Sequence, residues 1–356
     1  MIFIHSHLQG RNKSSFSQPP QPHQPHQPHQ PHQPHQPYQP HQLTNHTTAM
    51  KYFFFILAAT LLLHACSGDF FSQTVNIDPP EYEKQLSFHL LLDTKDSFIS
   101  LVMTRNYGIL ENIERYEDWF VKGATAELYE NGQKWVTFTP LNADSTFVLT
   151  AVLPHPFMTG NTYEIRAAHP DFPSVSAVQV VPAEFQADSA RVKFDAVAGE
   201  FGDRLDLAEI FLRDDPNVKN YYEIKLLRKY EQYIYDPFTG GYDTLLNTYP
   251  LSIDGFNDPN IKYGYENGGL VSDQFFNGQS YKFQARFYGD VYSGADSTII
   301  VSVRSITEDY YKWSYSFEAN DLTEENPLVE PTIIYHNLNN GLGIFSVAQR
   351  RDFIVN

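Results

Sequence analysis

From Leu86 onward the chain is a succession of short stretches in which apolar and polar residues alternate, the pattern of strands with one buried face. Leu86, Phe88, Leu90 and Leu92 fall on one side of such a stretch. Ile99, Leu101 and Met103 follow, then Ala124, Ala126 and Leu128. Asn131-Gly132 is a strong two-residue hairpin signal leading into Trp135 to Thr139. Phe147, Leu149 and Ala151, then Tyr163, Ile165 and Ala167, then Val178 and Val180 extend the series. Only Gly108 to Phe120 interrupts it, as a helical turn or an exposed loop, and Pro182 closes it. Roughly six or seven short strands separated by turn residues predict an immunoglobulin-like β-sandwich over residues 84–187.

A second β-rich domain is expected over residues 188–356. Val192, Phe194 and Ala196 alternate, Leu205 to Phe211 is largely apolar, and Asp214-Asp215-Pro216 is a turn. Tyr222, Ile224 and Leu226 alternate beyond it. Tyr281, Phe283, Ala285 and Phe287 do so after Asn277-Gly278, and Ile299 to Val303 is one more strand. The period then changes. Ser305 and Glu308 fit a capping box, and Tyr310, Trp313, Ser314 and Phe317 recur at helical spacing. One C-terminal helix of roughly twelve residues is therefore expected, with its aromatic stripe in the core. The fold class is mainly β.

The first 83 residues read differently. Met50-Lys51, an apolar run from Tyr52 to Leu63 and Ala65 before Cys66 have the layout of a secretory signal over 50–65, too short to span a bilayer. Cys66 behind Leu63 and Ala65 resembles a lipobox, with the thiol as the site of lipidation. Acyl chains there anchor a protein to lipid, each buried methylene contributing roughly 0.8 kcal/mol. Residues 66–83 are a polar tether. Residues 1–49 carry a Pro-His-Gln repeat without core-forming residues. Six of its histidines, His23, His26, His29, His32, His35 and His41, leave metal binding as one reading. The other is a low-complexity leader that is not translated in the native protein, with Met50 as the true start.

Charge and composition narrow the classes. The net charge of −17 excludes a nucleic-acid binder, which needs clustered Lys and Arg, and gives no basic patch for an anionic membrane surface. A single cysteine allows neither an internal disulfide nor a multi-thiolate metal site. No Gly-x-Ser-x-Gly elbow, His-Glu-x-x-His or phosphate-binding Gly-rich loop occurs. His89, His155, His169 and His336 are scattered, and His89, between Phe88 and Leu90, is expected to face solvent. The spacing from Asp236 to Asp243 matches no calcium loop. No catalytic residue, cofactor or metal is expected, although sequence leaves a carboxylate pair on facing walls of a cleft open.

The densest candidate contact surface is the tyrosine-rich stretch 229–268. Tyr233, Tyr235, Phe238 and Tyr242 lie among Gly, Asp and Asn and can anchor a partner or ligand, or simply reflect the strand preference of tyrosine. Leu342 and Phe345, within Asn337 to Phe345 (NLNNGLGIF), are a second candidate contact, with a tight turn packed onto the sheet as the alternative.

Four segments in order carry a family resemblance: Gly123 to Gly132 (GATAELYENG), Asp214-Asp215-Pro216 with Asn220-Tyr221-Tyr222, Asp273 to Gly278 (DQFFNG), and Ser305 to Phe345 ending in NLNNGLGIF. They resemble an outer-membrane lipoprotein family of Bacteroidota-type bacteria, catalogued as a domain of unknown function. Its first domain is similar to carboxypeptidase-regulatory-like β-sandwiches. The resemblance implies lipid attachment at the outer membrane, on the periplasmic or the cell-surface face, and frequent pairing with a TonB-dependent transporter. It implies no reaction and no site residues. The expected function is a non-catalytic binding or accessory module. A structural or adhesion lipoprotein, and a hydrolase, are the alternatives.

Overall fold

A computed structural model describes residues 81–108, 111–199, 202–236, 240–289, 298–324, 330 and 332–355, together with Phe53, Phe55 and Leu57. Two compact units divide at Pro80/Glu81. In the first, Phe53, Phe55 and Leu57 are helical. Everything below concerns the second, which is mainly β with one helix near its C-terminus, as the sequence pattern predicts. No helix among the described residues is long and apolar enough to cross a membrane.

The first half of this unit contains β1 (Leu86–Asp93), β2 (Phe98–Val102), β3 (Thr104–Arg105), β4 (Thr125–Glu130), β5 (Gln133–Thr137), β6 (Thr139–Pro140), β7 (Val148–Val152), β8 (Thr162–His169) and β9 (Phe172–Val180). Strands β2, β7 and β6 form one sheet, and β5, β4, β8 and β9 another. Their inward residues, among them Leu101, Leu128, Leu149, Tyr163 and Ile165, bury one core together with Leu86, Phe88 and Leu90 of β1. The Asn131-Gly132 turn has positive φ at both positions, 48° and 80°, as a tight hairpin between right-twisted strands requires. Val178 and Val180 do not join this core and are each 51% exposed. Pairing decides this: Ala177 lies opposite the buried Ile165 and Val178 opposite Glu164, so the small residue faces in.

The second half contains β10 (Gln186–Ala198), β11 (Arg204–Arg213), β12 (Tyr221–Asp236), β13 (Gly241–Pro250), β14 (Ile253–Phe256), β15 (Lys262–Gly264), β16 (Gly268–Ser272), β17 (Ser280–Phe287) and β18 (Thr298–Ile306). Helix α1 (Glu308–Glu324) and β19 (Gly341–Val355) complete it. Strands β10, β11, β17 and β14 make a four-stranded sheet. The largest sheet runs β15-β16-β12-β18-β19-β1-β3, with β13 beside β12. A second core lies between these two sheets and includes Ile210, Phe283, Tyr222, Ile224 and Val301. In β10 the expected Val192, Phe194, Ala196 face is broken. Asp195 has φ 50° and the register shifts between Lys193 and Val197, so Phe194 and Ala196 are exposed.

Helix α1 covers the opposite face of the large sheet. Tyr310 and Trp313 are fully buried there with Tyr221, Leu270, Ile306, Ile344 and Ala348. The expected helix is longer than its periodicity suggested, at 17 residues, and its cap is displaced. Ser305 is buried at the end of β18, and the Thr307 hydroxyl instead accepts from the Tyr310 amide at 3.2 Å. Under the helix, charges run in a row across four strands. Arg304 on β18 donates to Glu223 on β12 at 2.6 Å, and Arg350 on β19 donates to Asp93 on β1 at 2.6 Å. Tyr310 donates its hydroxyl to the other Glu223 oxygen at 2.8 Å. Burial by itself disfavours the Arg304 charge. Glu223 first, with Tyr310 and Asp93, together outweigh it and hold the guanidinium above its ordinary range.

Strand β19 ties the two halves together. Its first eight residues pair in parallel with β1, Leu86 opposite Gly341 through Asp93 opposite Ala348. The remainder pairs antiparallel with β18. The core changes between Val181 and Ala187, near the boundary expected at residue 188, yet Leu338, Phe345 and Val347 return to the first core. The NLNNGLGIF segment makes this return possible. The Asn337 side chain mimics a strand, donating to the Phe345 carbonyl and accepting its amide, each at 2.9 Å. Gly343 has φ 115°, and a Cβ there would run into the Phe88 carbonyl oxygen.

Candidate functional site

The first nine residues of β12 pair with β18, from Tyr221 opposite Ile306 to Lys229 opposite Thr298. Among the described residues the strand continues beyond Lys229 with β13, from Leu227 opposite Pro250 to Asp236 opposite Gly241. Residues 230–236 and 241–247 thus form a two-stranded ribbon among the described residues. Alternation sorts its side chains onto two faces. One face carries Tyr233, Tyr235, Tyr242 and Leu246, which are 60%, 55%, 70% and 48% exposed. Tyr235 and Tyr242 are directly opposite, with ring centroids 5.5 Å apart in an edge-to-face arrangement. On the other face Tyr230 and Tyr249 meet edge to face at 5.4 Å, and Asn247 donates to Gln232 at 2.8 Å. A two-stranded hairpin is marginal by itself in water. Cross-strand aromatic pairs of this kind stabilise it by a fraction of a kcal/mol to about 1 kcal/mol each. Large apolar rings displayed on such a ribbon are the type of surface that anchors a partner.

The structure brings together Tyr233, Tyr235 and Tyr242 of the sequence-predicted contacts, with Leu342 and Phe345 on β19. Phe345 is a correction: it is fully buried in the first core, since β19 packs that face inward, so it is no surface contact. Leu342, opposite Ser87, is half-buried. Cys66 and Phe238 lie outside the described residues. His89 leaves the face of Phe88 and Leu90 and is exposed, as expected, and its ring lies edge-on to Trp313 at 5.2 Å and to Phe317 at 6.3 Å. It keeps a path to solvent, beside a cleft of about 230 Å³ shared with Ser87, Ser100 and Thr104. Desolvation in this recess lowers its pKa to about 4.

Two motifs separated in sequence converge on one buried corner. Asp214 accepts from the Tyr222 hydroxyl at 2.6 Å, the Asn220 amide group at 3.1 Å and the Gly278 backbone amide at 2.9 Å. Asp273 accepts from the Asn220 backbone amide at 2.5 Å. Burial raises the Tyr222 phenol far above its ordinary range, with Asp214 adding to the effect. Gly278, at φ 71°, leaves the space that Pro216 fills. A cleft of about 250 Å³ beside this corner is lined by Phe185, Arg213 and Tyr222 among others. The Asp214 oxygens facing it are committed to internal donors, so the corner is architectural. Nothing in the local pattern tells a turn aspartate from a buried one. Among the described residues no group of three His, Cys, Asp or Glu side chains is placed to hold a metal ion.

Fold and site together define a β-rich module that displays aromatic side chains on a two-stranded ribbon. The chain matches the model of a family described as a domain of unknown function (DUF4249) over residues 73–353, and it belongs to that family. No curated protein matches its sequence. Among solved structures it is similar to a chain titled "Biofilm associated protein - BSP domain", at 9% identity and a TM-score of 0.17. That alignment covers 80% of this chain and 61% of the other, so less than two thirds of that protein's length is spanned.

Proposed function

We propose that the protein is a lipid-anchored, non-catalytic binding or accessory module of the outer membrane, and that the β12–β13 ribbon is its contact with a protein partner. The observation that carries this reading is the exposed ribbon face of Tyr233, Tyr235, Tyr242 and Leu246. The leader ending in Ala65-Cys66 supports the anchor. The partner class proposed is a TonB-dependent transporter barrel, on the resemblance of the four motif segments.

The test is a mild-detergent pull-down of the acylated protein from outer membranes, with mass spectrometry of what accompanies it. A barrel recovered in stoichiometric amount supports the accessory role. Its loss from a Tyr233→Ser/Tyr235→Ser/Tyr242→Ser variant with unchanged far-UV circular dichroism assigns the contact to the ribbon. Recovery of the acylated protein alone refutes the transporter partnership. Recovery of a barrel that the triple variant still retains moves the contact elsewhere.

A further inference from the structure

The sheet β10-β11-β17-β14 turns one face to the second core and the other away from it. Ile210 and Phe283 are buried on the core side, so their neighbours Glu209, Phe211, Lys282 and Gln284 lie on the outer side. Cross-strand register arranges this outer side in rows. Arg191 stands opposite Glu209, and Glu209 opposite Gln284. Lys193 stands opposite Leu207, Leu207 opposite Arg286, and Phe211 opposite Lys282. Four cations on β10 and β17 therefore flank one carboxylate on the strand between them. No stretch of sequence shows this cluster, because its members run from residue 191 to residue 286 and only strand pairing collects them.

The cluster is open and carries excess positive charge. Glu209 is buried at its centre. Lys193 lies 2.8 Å from its carboxylate, Lys282 3.2 Å and Arg191 3.6 Å, and Gln284 donates to it at 3.0 Å. The three cationic side chains nevertheless remain 52%, 44% and 61% exposed. One carboxylate cancels one of the three charges and leaves two. Arg286 pairs with Asp254 at 3.3 Å and Arg213 with Asp188 at 3.5 Å, and these pairs leave that excess unchanged. A lysine ammonium has three donors and a guanidinium five, more than Glu209 takes up. Over the whole chain the net charge is −17, so the cluster is a local reversal of sign. A polyanion is drawn to such a place.

Size and surroundings select the kind of polyanion. Charges are screened over about 8 Å at physiological ionic strength, so a narrow chain lying on the sheet responds to the cluster alone. A bilayer extends past it and meets the acidic remainder of the protein. Phe211, the large apolar side chain of this face, lies beneath Arg191, with the guanidinium 4.8 Å from its ring centroid. It is therefore free neither to insert into lipid nor to stack on a nucleic-acid base. Ser189, opposite Phe211, and Ser280, opposite Arg213, are exposed on the same side and offer neutral partners for hydroxyls. We propose that the outer face of this sheet binds an acidic polysaccharide, whose sulfate or phosphate groups are held by Arg191, Lys193 and Lys282. Charge-assisted bonds from these cations to oxyanions supply the attraction. The face is independent of the β12–β13 ribbon.

The test is calorimetric titration of the full chain with dextran sulfate, at low and at physiological ionic strength, with unsulfated dextran as the control. Dextran sulfate is expected to bind and to weaken steeply as salt rises, and dextran is expected not to bind. Lys193→Gln/Lys282→Gln is expected to weaken binding roughly tenfold, about 1.4 kcal/mol, and to flatten the salt dependence. Lys193→Arg/Lys282→Arg keeps the charge and is expected to keep the affinity. Lys134→Gln, which removes an exposed cation on β5, is expected to leave it unaltered. Lys282→Gln alone, which leaves Glu209 its bond to Lys193, replaces the double variant if circular dichroism shows that the latter is unfolded. Four results overturn the proposal: no binding of dextran sulfate at low salt, equal binding of unsulfated dextran, binding that the folded glutamine variant retains in full, or tighter binding to phosphatidylglycerol vesicles or single-stranded DNA than to dextran sulfate.

Discussion

Replacing Glu223 by alanine tests the charge row beneath helix α1. Glu223 is fully buried, and the Arg304 side chain retains only 12% of its exposure. Arg304 donates to one Glu223 oxygen at 2.6 Å and Tyr310 to the other at 2.8 Å. The alanine leaves a guanidinium in a dry site without its counter-charge and a buried phenol without its acceptor. Removing one member of a buried pair costs about 3–5 kcal/mol, a large part of the roughly 5–15 kcal/mol that holds a domain together. Replacing both charges by Leu and Met removes the orphan as well as the attraction, and is expected to recover most of that loss. The assay is urea denaturation of the wild type, Glu223→Ala, and the Glu223→Leu/Arg304→Met double variant, with a check that the slope is unchanged. A loss under about 1 kcal/mol for Glu223→Ala would refute the reasoning, since an exposed pair is worth that little. A double variant no better than the single would show that shape, and not the unpaired charge, sets the cost.

Two further expectations follow from the same unit. Gly343→Ala forces a side chain into left-handed backbone against the Phe88 carbonyl, and strain plus overpacking at this junction is expected to cost about 2–5 kcal/mol, read as a lowered urea midpoint. His89 has its pKa lowered from 6.5 to about 4 by desolvation. The unfolded chain therefore takes up a proton that the folded chain refuses, and this contribution destabilises the fold as pH falls from 6.5 towards 4. His89→Gln is expected to flatten that part of the stability–pH curve relative to wild type, and identical slopes would contradict the recess.

Much of the fold was legible in the sequence because its physical signal is local. Alternation at Leu86 to Leu92 and at Phe283 to Phe287 identified half-buried strands, and Asn131-Gly132 identified a hairpin, since each pattern follows from side-chain period or backbone φ within a few residues. The aromatic stripe of α1 showed its buried face by the same logic. The tyrosine-rich stretch could be singled out, but not its exposure, because a tyrosine in a sheet and one on an exposed ribbon have the same neighbours in sequence. Exposure is decided by where the paired strands β12 and β13 lie in the fold.

The sequence by itself determined that this chain is a β protein with one C-terminal helix and a charged, cysteine-poor surface. Those properties depend on residue type and short-range period. Tertiary structure alone decided that β19 lies parallel to β1 and places Phe345 in the first core, that Asp214 and Asp273 meet in one corner, and that Glu223 faces Arg304 under a helix. Parallel pairing of strands some 250 residues apart leaves no local mark, because loop closure over that distance is set by the whole chain.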